Sequence, residues 1–328
     1  MSKKIAMLSA MLVGAFVAVS PAKAEYNLTL CGASPGGLWS LLGSGIDAAV
    51  KESYPGSIVT YQTSGGGFAN IALLGQNKCD LAIVHDAEAA VAKKGGKPFS
   101  APVDNIRTIA VLYTWAPMQM IMNADFAKEY GVSSIEDIAA KKVPVRVLLN
   151  KRGNVASQVG ADMLTAAGAS PENIEAWGGS VTYAASKEQG ELMRDRRADV
   201  ILNSLFVNHR SIRQLADAID LKLLDANGDT LEEVSEKWSI GTYMIPADAY
   251  KWKEGDTGTV TLSAQLFVRD DADPKMVEEI TAALVKNADK IQGIHKAMKP
   301  LTTKLMADGK AIEYHPAAAS VYKAEGLQ

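Results

Sequence analysis

The chain has 328 residues, 48% of them hydrophobic and 22% charged, which is the balance of a soluble globular protein and enough length for two domains or lobes. Its formal net charge of −3 argues against nucleic acid as a partner. Only two cysteines and four histidines are present, which leaves little for a metal site, and none has a metal-ligand spacing such as H-x-x-x-H or C-x-x-C.

In chain order, Lys3 and Lys4 precede an apolar run from Ile5 to Val19, followed by Pro21-Ala22-Lys23-Ala24. A basic start, a short apolar core and an Ala-x-Ala end describe a secretory signal, residues 1–24, cut after Ala24. The run is too short and ends too abruptly for a membrane anchor, and no later stretch is long enough to span a bilayer. Removing the signal takes away Lys3, Lys4 and Lys23 and no acids, so 31 basic residues face 37 acidic ones and the net charge becomes −6. An exported, periplasmic protein is expected.

Asn27 to Cys31 reads as a short buried strand, ended by Gly32-Ala33-Ser34-Pro35-Gly36-Gly37. Leu38, Leu41, Leu42, Ile46, Ala49 and Val50 then recur at helical spacing. Such a turn opening a helix points free N–H groups out of the strand's carboxyl end, a seat for an anion or carboxylate. The pattern repeats at once: strand Ile58–Thr63, turn Ser64-Gly65-Gly66-Gly67, and a helix with Phe68, Ile71 and Leu74 inward. Neither turn has the Gly-Lys-Ser/Thr of a P-loop or the G-x-G-x-x-G of a dinucleotide site. A third strand, Asp80 to Val84, brings His85 and Asp86 level with those turns. Cys31 and Cys79 then fall toward opposite ends of neighbouring strands, so two free, buried thiols are expected. Leu30, preceding Cys31, argues against lipid attachment.

Ile106–Leu112 and Met118–Met122 are apolar strand segments on either side of Tyr113-Thr114-Trp115-Ala116-Pro117, read as a crossover between two lobes or as a kinked strand within one. Ser133 with Glu136 fits a capping box. Strand Val143–Leu149 ends in Asn150-Lys151-Arg152-Gly153-Asn154, and a helix with Val155, Val159 and Met163 on one face follows. This is the opening motif a third time, with a positive charge in its turn. Ala198–Asn203 is a strand ended by Ser204, Leu221–Leu224 a short edge strand, and Thr259–Val268 a long alternating strand taken as the return crossover. Pro274–Lys290 is an amphipathic helix.

In order and spacing, Gly32-Ala33-Ser34-Pro35-Gly36-Gly37, Ser64-Gly65-Gly66-Gly67 before Asn70, Asp80-Leu81-Ala82-Ile83-Val84, and Tyr314-His315-Pro316-Ala317-Ala318 with Tyr322 and Gly326 resemble the TAXI-type periplasmic solute receptors of TRAP transporters over the whole mature chain. The resemblance implies an α/β, two-lobed, type II periplasmic binding protein-like fold, each lobe a mostly parallel sheet flanked by helices and joined by two crossover strands. The lobes would be residues 25–116 with 262–328, and 117–261. It also implies capture of a small carboxylate-bearing solute, such as glutamate or 2-oxoglutarate, and delivery to a sodium-coupled integral-membrane permease. The sequence departs from the family at Arg152-Gly153-Asn154-Val155, where small Ser, Gly or Thr residues are usual.

The expected cleft would draw on Ser34, Gly36, Gly37, Trp39, Ser64, Gly66, Gly67, His85, Asp86 and Trp115 from one lobe and Arg152, Asn154, Val155 and Ser204 from the other. Arg152 is the best-placed cation, since its planar fork pairs bidentately with a carboxylate. Trp39 and Trp115 are read as aromatic walls, although Trp39 beside Leu38 and Leu41 also fits a core. No serine or cysteine stands in a nucleophile elbow, so a monomeric binding protein without cofactor or catalytic residues is expected. An exported enzyme using His85 and Asp86, and a sensor domain for a membrane signalling partner, are the alternatives.

Overall fold

The computed structural model describes residues 25–33, 35 and 38–328. The expected signal segment, residues 1–24, and the expected site residues Ser34, Gly36 and Gly37 lie outside the described residues.

Ten strands form one continuous hydrogen-bonded array: β1 (Asn27–Cys31), β2 (Ile58–Gln62), β3 (Leu81–His85), β4 (Ile106–Asn123), β5 (Arg146–Leu149), β6 (Ser180–Tyr183), β7 (Val200–Ser204), β8 (Leu221–Leu223), β9 (Gly241–Ile245) and β10 (Thr257–Arg269). The order is β2-β1-β3-β10-β4-β7-β5-β6, with β8 on β4 and β9 on β10. β1, β2 and β3 are mutually parallel, as are β5, β6 and β7. The two long strands between them, β4 and β10, run antiparallel to each other.

The apolar pattern explains two centres of packing. The helix Leu38–Ser53 buries Trp39, Leu42, Ile46, Ala49 and Val50, which recur every three or four residues along one side. That side packs with β1, β3, the first part of β4, the last part of β10 and the helix Pro274–Lys286. A second cluster joins Met118, Met120 and Met122 of β4 to Val147, Leu149, Val159 and Leu202. Thus β4 contributes to both cores in turn. Tyr113 to Pro117 does not break it; β4 is one strand of 18 residues. Proline has no N–H to give a ladder, yet the Pro117 carbonyl still accepts from Leu205 N–H at 3.2 Å.

Two local expectations shift. The capping box before the helix Ile135–Ala140 is built by Ser134 and Asp137, one residue beyond Ser133 and Glu136. Ser133 instead bonds the Asp137 carboxylate through both its N–H and its hydroxyl, each at 2.7 Å.

The free-thiol expectation is overturned: Cys31 and Cys79 are disulfide-bonded, with Cα atoms 5.8 Å apart. A straight strand back through Cys79 would have kept them apart, but β3 begins only at Leu81. The turn before it lays Cys79 over the same apolar face as Cys31, with Ile71, Leu74, Ala82 and Val84.

Candidate functional site

The topology makes strand carboxyl ends face one another. Through Ala264 of β10, His85 at the end of β3 is level with Tyr113 of β4. Ser204, at the end of the oppositely running β7, is level with Met118. Five residues of β4 therefore separate the two sets of ends, roughly 16 Å at about 3.3 Å per residue. The turns after β1, β2 and β3 confront those after β5, β6 and β7 across this gap, the arrangement in which open α/β sheets bind ligands.

On the first side, the turns brace each other. The Ser64 hydroxyl lies within hydrogen-bond reach of the Gly32 carbonyl and the Asn70 side-chain oxygen, which share its one proton, and it accepts from Gly66 N–H at 3.0 Å. Tyr61 covers the first turn: its hydroxyl accepts from Ala33 N–H at 2.6 Å, and a Cβ on Gly32 would fall 2.2 Å from the ring. Gly66 has φ 110° with open space where a Cβ would be, a conformation that favours glycine. Gly67, at the start of the helix Gly67–Gly75, is different. A Cβ there would lie 1.7 Å from Oε2 of Glu88, which is 1% exposed. This carboxylate accepts from the backbone N–H of His85 at 3.1 Å and faces its Nδ1 at 3.1 Å. An internal carboxyl group thus already lies against the start of this helix. Gly67→Ala should displace Glu88 and destabilise the protein by about 1–3 kcal/mol. A urea midpoint equal to wild type would contradict that packing.

His85 and Asp86 turn to different faces of the sheet. His85 packs at a tilt against Trp39, ring centroids 4.7 Å apart and planes at 43°, while Tyr113 takes a hydrogen bond from Trp39 Nε1 at 3.0 Å. Phe206, just past β7, packs edge-on against Tyr113 at 5.1 Å, so an aromatic contact already crosses the gap. Trp39 is 7% exposed and belongs to the core. Trp115 is half-buried, packs against that core and donates from Nε1 to the Ala297 carbonyl at 2.7 Å.

Asp86 instead accepts, through Oδ1, from Ala87 N–H at 2.9 Å and Ser263 N–H at 3.2 Å. Burial pushes its carboxyl up to about 6, against the lowering effect of His85 and those two N–H groups. An acid raised from about 4 in the unfolded chain holds its proton longer when folded. Its stability contribution is therefore present below pH 4, lost as pH rises to 6, and flat above. Two pH units correspond to about 3 kcal/mol. Asp86→Asn keeps the Oδ1 acceptor, so it should raise the melting temperature at pH 8 and flatten its decline between pH 4 and 6. Parallel pH profiles for the two proteins would refute this assignment.

On the facing side, Arg152 lies with Cζ 3.8 Å above the centre of the Tyr183 ring, and no described carboxylate pairs with it within 4.0 Å. Gly153 has φ 85° in this turn. Asn154 caps the helix Val155–Ala166, accepting from Ala156 N–H at 2.9 Å, and Val155 is fully buried in the core. The Ser204 hydroxyl donates to the Ala116 carbonyl at 2.7 Å. The Asn154, Val155 and Ser204 side chains are thus engaged within the protein, while Arg152 stands exposed.

Beside them lies a group the sequence reading passed over. Asn150 Nδ2 donates to Asn203 Oδ1, and Asn203 Nδ2 to Ser186 Oγ and Gln189 Oε1, all at 3.0 Å. Gln189 Nε2 is buried without a described partner. Tyr113, Glu88, Phe206 and Tyr183 were likewise unmarked. Among the described residues no cluster of His, Cys, Asp and Glu could hold a metal ion, and no helix is long and apolar enough to cross a membrane.

Solved structures share the architecture. MatC from Rhodopseudomonas palustris, with bound malate, is 12% identical with a TM-score of 0.54, covering 92% of this chain and 96% of its own. PhnD1 from Prochlorococcus marinus, in complex with methylphosphonate, is 10% identical with a TM-score of 0.54, covering 92% and 99%. At such identities the likeness shows the fold, that of a two-lobed type II α/β binding protein. No curated protein sequence matches the chain. Residues 30–326, nearly the whole described chain, match the NMT1-like family, and the protein belongs to that family.

Proposed function

We propose that this protein is an extracytoplasmic receptor that closes on a small carboxylate-bearing solute and presents it to a membrane permease. The observation that supports it best is the confrontation of strand ends across five residues of β4, with an uncommitted guanidinium on one side of the gap. We assign residues 25–116 and 262–328 to one lobe and 117–261 to the other, a division that the two largest apolar clusters follow except at Phe68, Ala87, Phe206 and Leu262. β4 and β10 are the hinge.

Helix starts alone supply about 0.3–1 kcal/mol each toward an anion, short of the roughly 8 kcal/mol of micromolar binding. Arg152 supplies the charge-assisted partner, and an amino acid or 2-oxo acid of the glutamate or 2-oxoglutarate kind suits a single bidentate fork. The permease we assign, on the resemblance to TAXI-type receptors, to the sodium-coupled TRAP class, and a monomer suits a receptor that must dock and release.

Native mass spectrometry of freshly purified protein, followed by a thermal-shift panel of organic acids, tests this reading. A retained acid and a shift equivalent to about 2.7 kcal/mol at 100 times its dissociation constant are expected. Turnover of the bound acid, or a panel without any shift, would count against it.

A further inference from the structure

The strand ends on the Arg152 side carry a relay of side-chain amides. Asn150 follows β5, Asn203 lies in β7 and Ser186 opens the helix Ser186–Arg194 that follows β6. The parallel pairing of β5 with β6 and β7 brings all three to the end of the sheet where Arg152 rests on Tyr183. The relay has a direction, and a backbone group fixes it. Lys151 N–H can only donate, and it lies 2.7 Å from Oδ1 of Asn150. That turns Asn150 Nδ2 toward Asn203 Oδ1, at 3.0 Å. Asn203 Nδ2 then faces away and spends its two protons on Ser186 Oγ and Gln189 Oε1, both at 3.0 Å.

Gln189 ends the chain with Nε2 buried and without a described partner. Such a donor costs free energy, and turning every amide over would give it the Asn203 oxygen as an acceptor. Lys151 N–H would then meet an amide N–H, so the relay keeps the orientation it has. Asn203 and Gln189 are fully buried, so bulk solvent does not compete. This orientation decides what reaches the gap. Ser186 Oγ already receives a proton from Asn203, so its own proton must go elsewhere, and Asn150 has a second amide proton to give. Both residues are half-buried, within reach of a guest, and Arg152 beside them offers only donors. On the opposite side the Glu88 carboxyl is 1% exposed and engaged by His85. An ammonium set among these donors loses its water and gains no acceptor, whereas a carbonyl oxygen in the same place accepts from them.

We infer that Asn150 and Ser186 determine the specificity of the solute site: they select a 2-oxo acid, with an acceptor beside its carboxylate, and reject the matching 2-amino acid. Asn203 and Gln189 are positioning residues that act through them. The inference rests on the receptor reading above, with Arg152 taking the carboxylate.

Calorimetric titration of 2-oxoglutarate and of L-glutamate into the mature protein tests this. The oxo acid should bind at least about tenfold more tightly, since an unpaired polar group is what such a site rejects. Ser186→Ala should weaken the oxo acid by about tenfold, the worth of one hydrogen bond, and leave glutamate unchanged. Asn150→Asp keeps the acceptor for Lys151 N–H but turns a second oxygen toward Asn203, so the relay reverses. Ser186 then gives its proton to Asn203 and shows a lone pair to the guest, and the ratio of affinities should move toward glutamate. Ser186 is half-buried at the first residue of its helix, so Ser186→Ala folds even if Asn150→Asp does not. Equal or tighter binding of glutamate by the wild type, or a ratio indifferent to Ser186→Ala, overturns the inference and leaves the receptor reading intact, because an acid is still bound. If neither acid binds, the inference falls, and the receptor reading falls with it only if no retained acid is found by mass spectrometry.

Discussion

Removing the disulfide as Cys31→Ala/Cys79→Ala should lower the unfolding free energy by about 4 kcal/mol, the chain-entropy value for a loop closed over 48 residues. Alanine is the replacement of choice because both positions are buried among apolar side chains, where a serine hydroxyl would add its own desolvation cost. For a protein of this size the loss corresponds to a fall on the order of 8 °C in melting temperature. Urea unfolding with and without reductant checks it: reductant should shift the wild type and leave the double variant unmoved. The consequence reaches the cleft, because Cys31 immediately precedes Gly32 and the bridge ties β1 to the turn that launches β3. Wild-type midpoints that coincide in oxidised and reduced protein would mean the bridge constrains nothing.

The repeated strand, glycine turn and helix was legible because apolar periodicity and glycine act locally. The two apolar halves of β4 and most of β10 were legible for the same reason, but not that β4 runs unbroken through Tyr113 to Pro117. What escaped has identifiable causes. β6 and β9 lie at edges with mostly exposed or half-buried side chains, so they carry almost no alternating signal. The Cys31–Cys79 pairing depended on the stagger of β3 beside β1, which puts Cys31 level with Ala82 and which propensity does not fix. Tyr113 was hidden inside an apolar strand that reads as core, yet its hydroxyl organises Trp39 and approaches His85 Nε2 at 3.4 Å. Asn150, Asn203 and Gln189 each read alone as a cap or a solvated polar residue. Only the register of β5 beside β7 brings them together. Neighbours in sequence also misled: His85 and Asp86 suggest an acid–base pair, but a strand ending in a helix turns consecutive side chains to different faces.

Arg152→Ala is expected to weaken solute binding by about 2–5 kcal/mol, roughly 30-fold to several thousandfold, while leaving stability within about 0.5 kcal/mol of wild type. The fold should tolerate the change because the side chain is exposed and its guanidinium rests on the face of Tyr183. That contact matters for binding rather than folding. Stacking on the ring holds the planar fork in place before the carboxylate arrives, so less rotamer freedom is lost on binding. Three variants separate charge from orientation. Arg152→Lys keeps the charge but neither the fork nor the stack, and should lose part of the affinity. Tyr183→Leu keeps the fork and removes its support, and should lose less, about 0.5–1 kcal/mol. Once the retained acid is known, calorimetry on these proteins measures each term. If all three bind as tightly as wild type, the guanidinium is a surface feature of the rim, and the charge that holds the solute must come from elsewhere between the lobes.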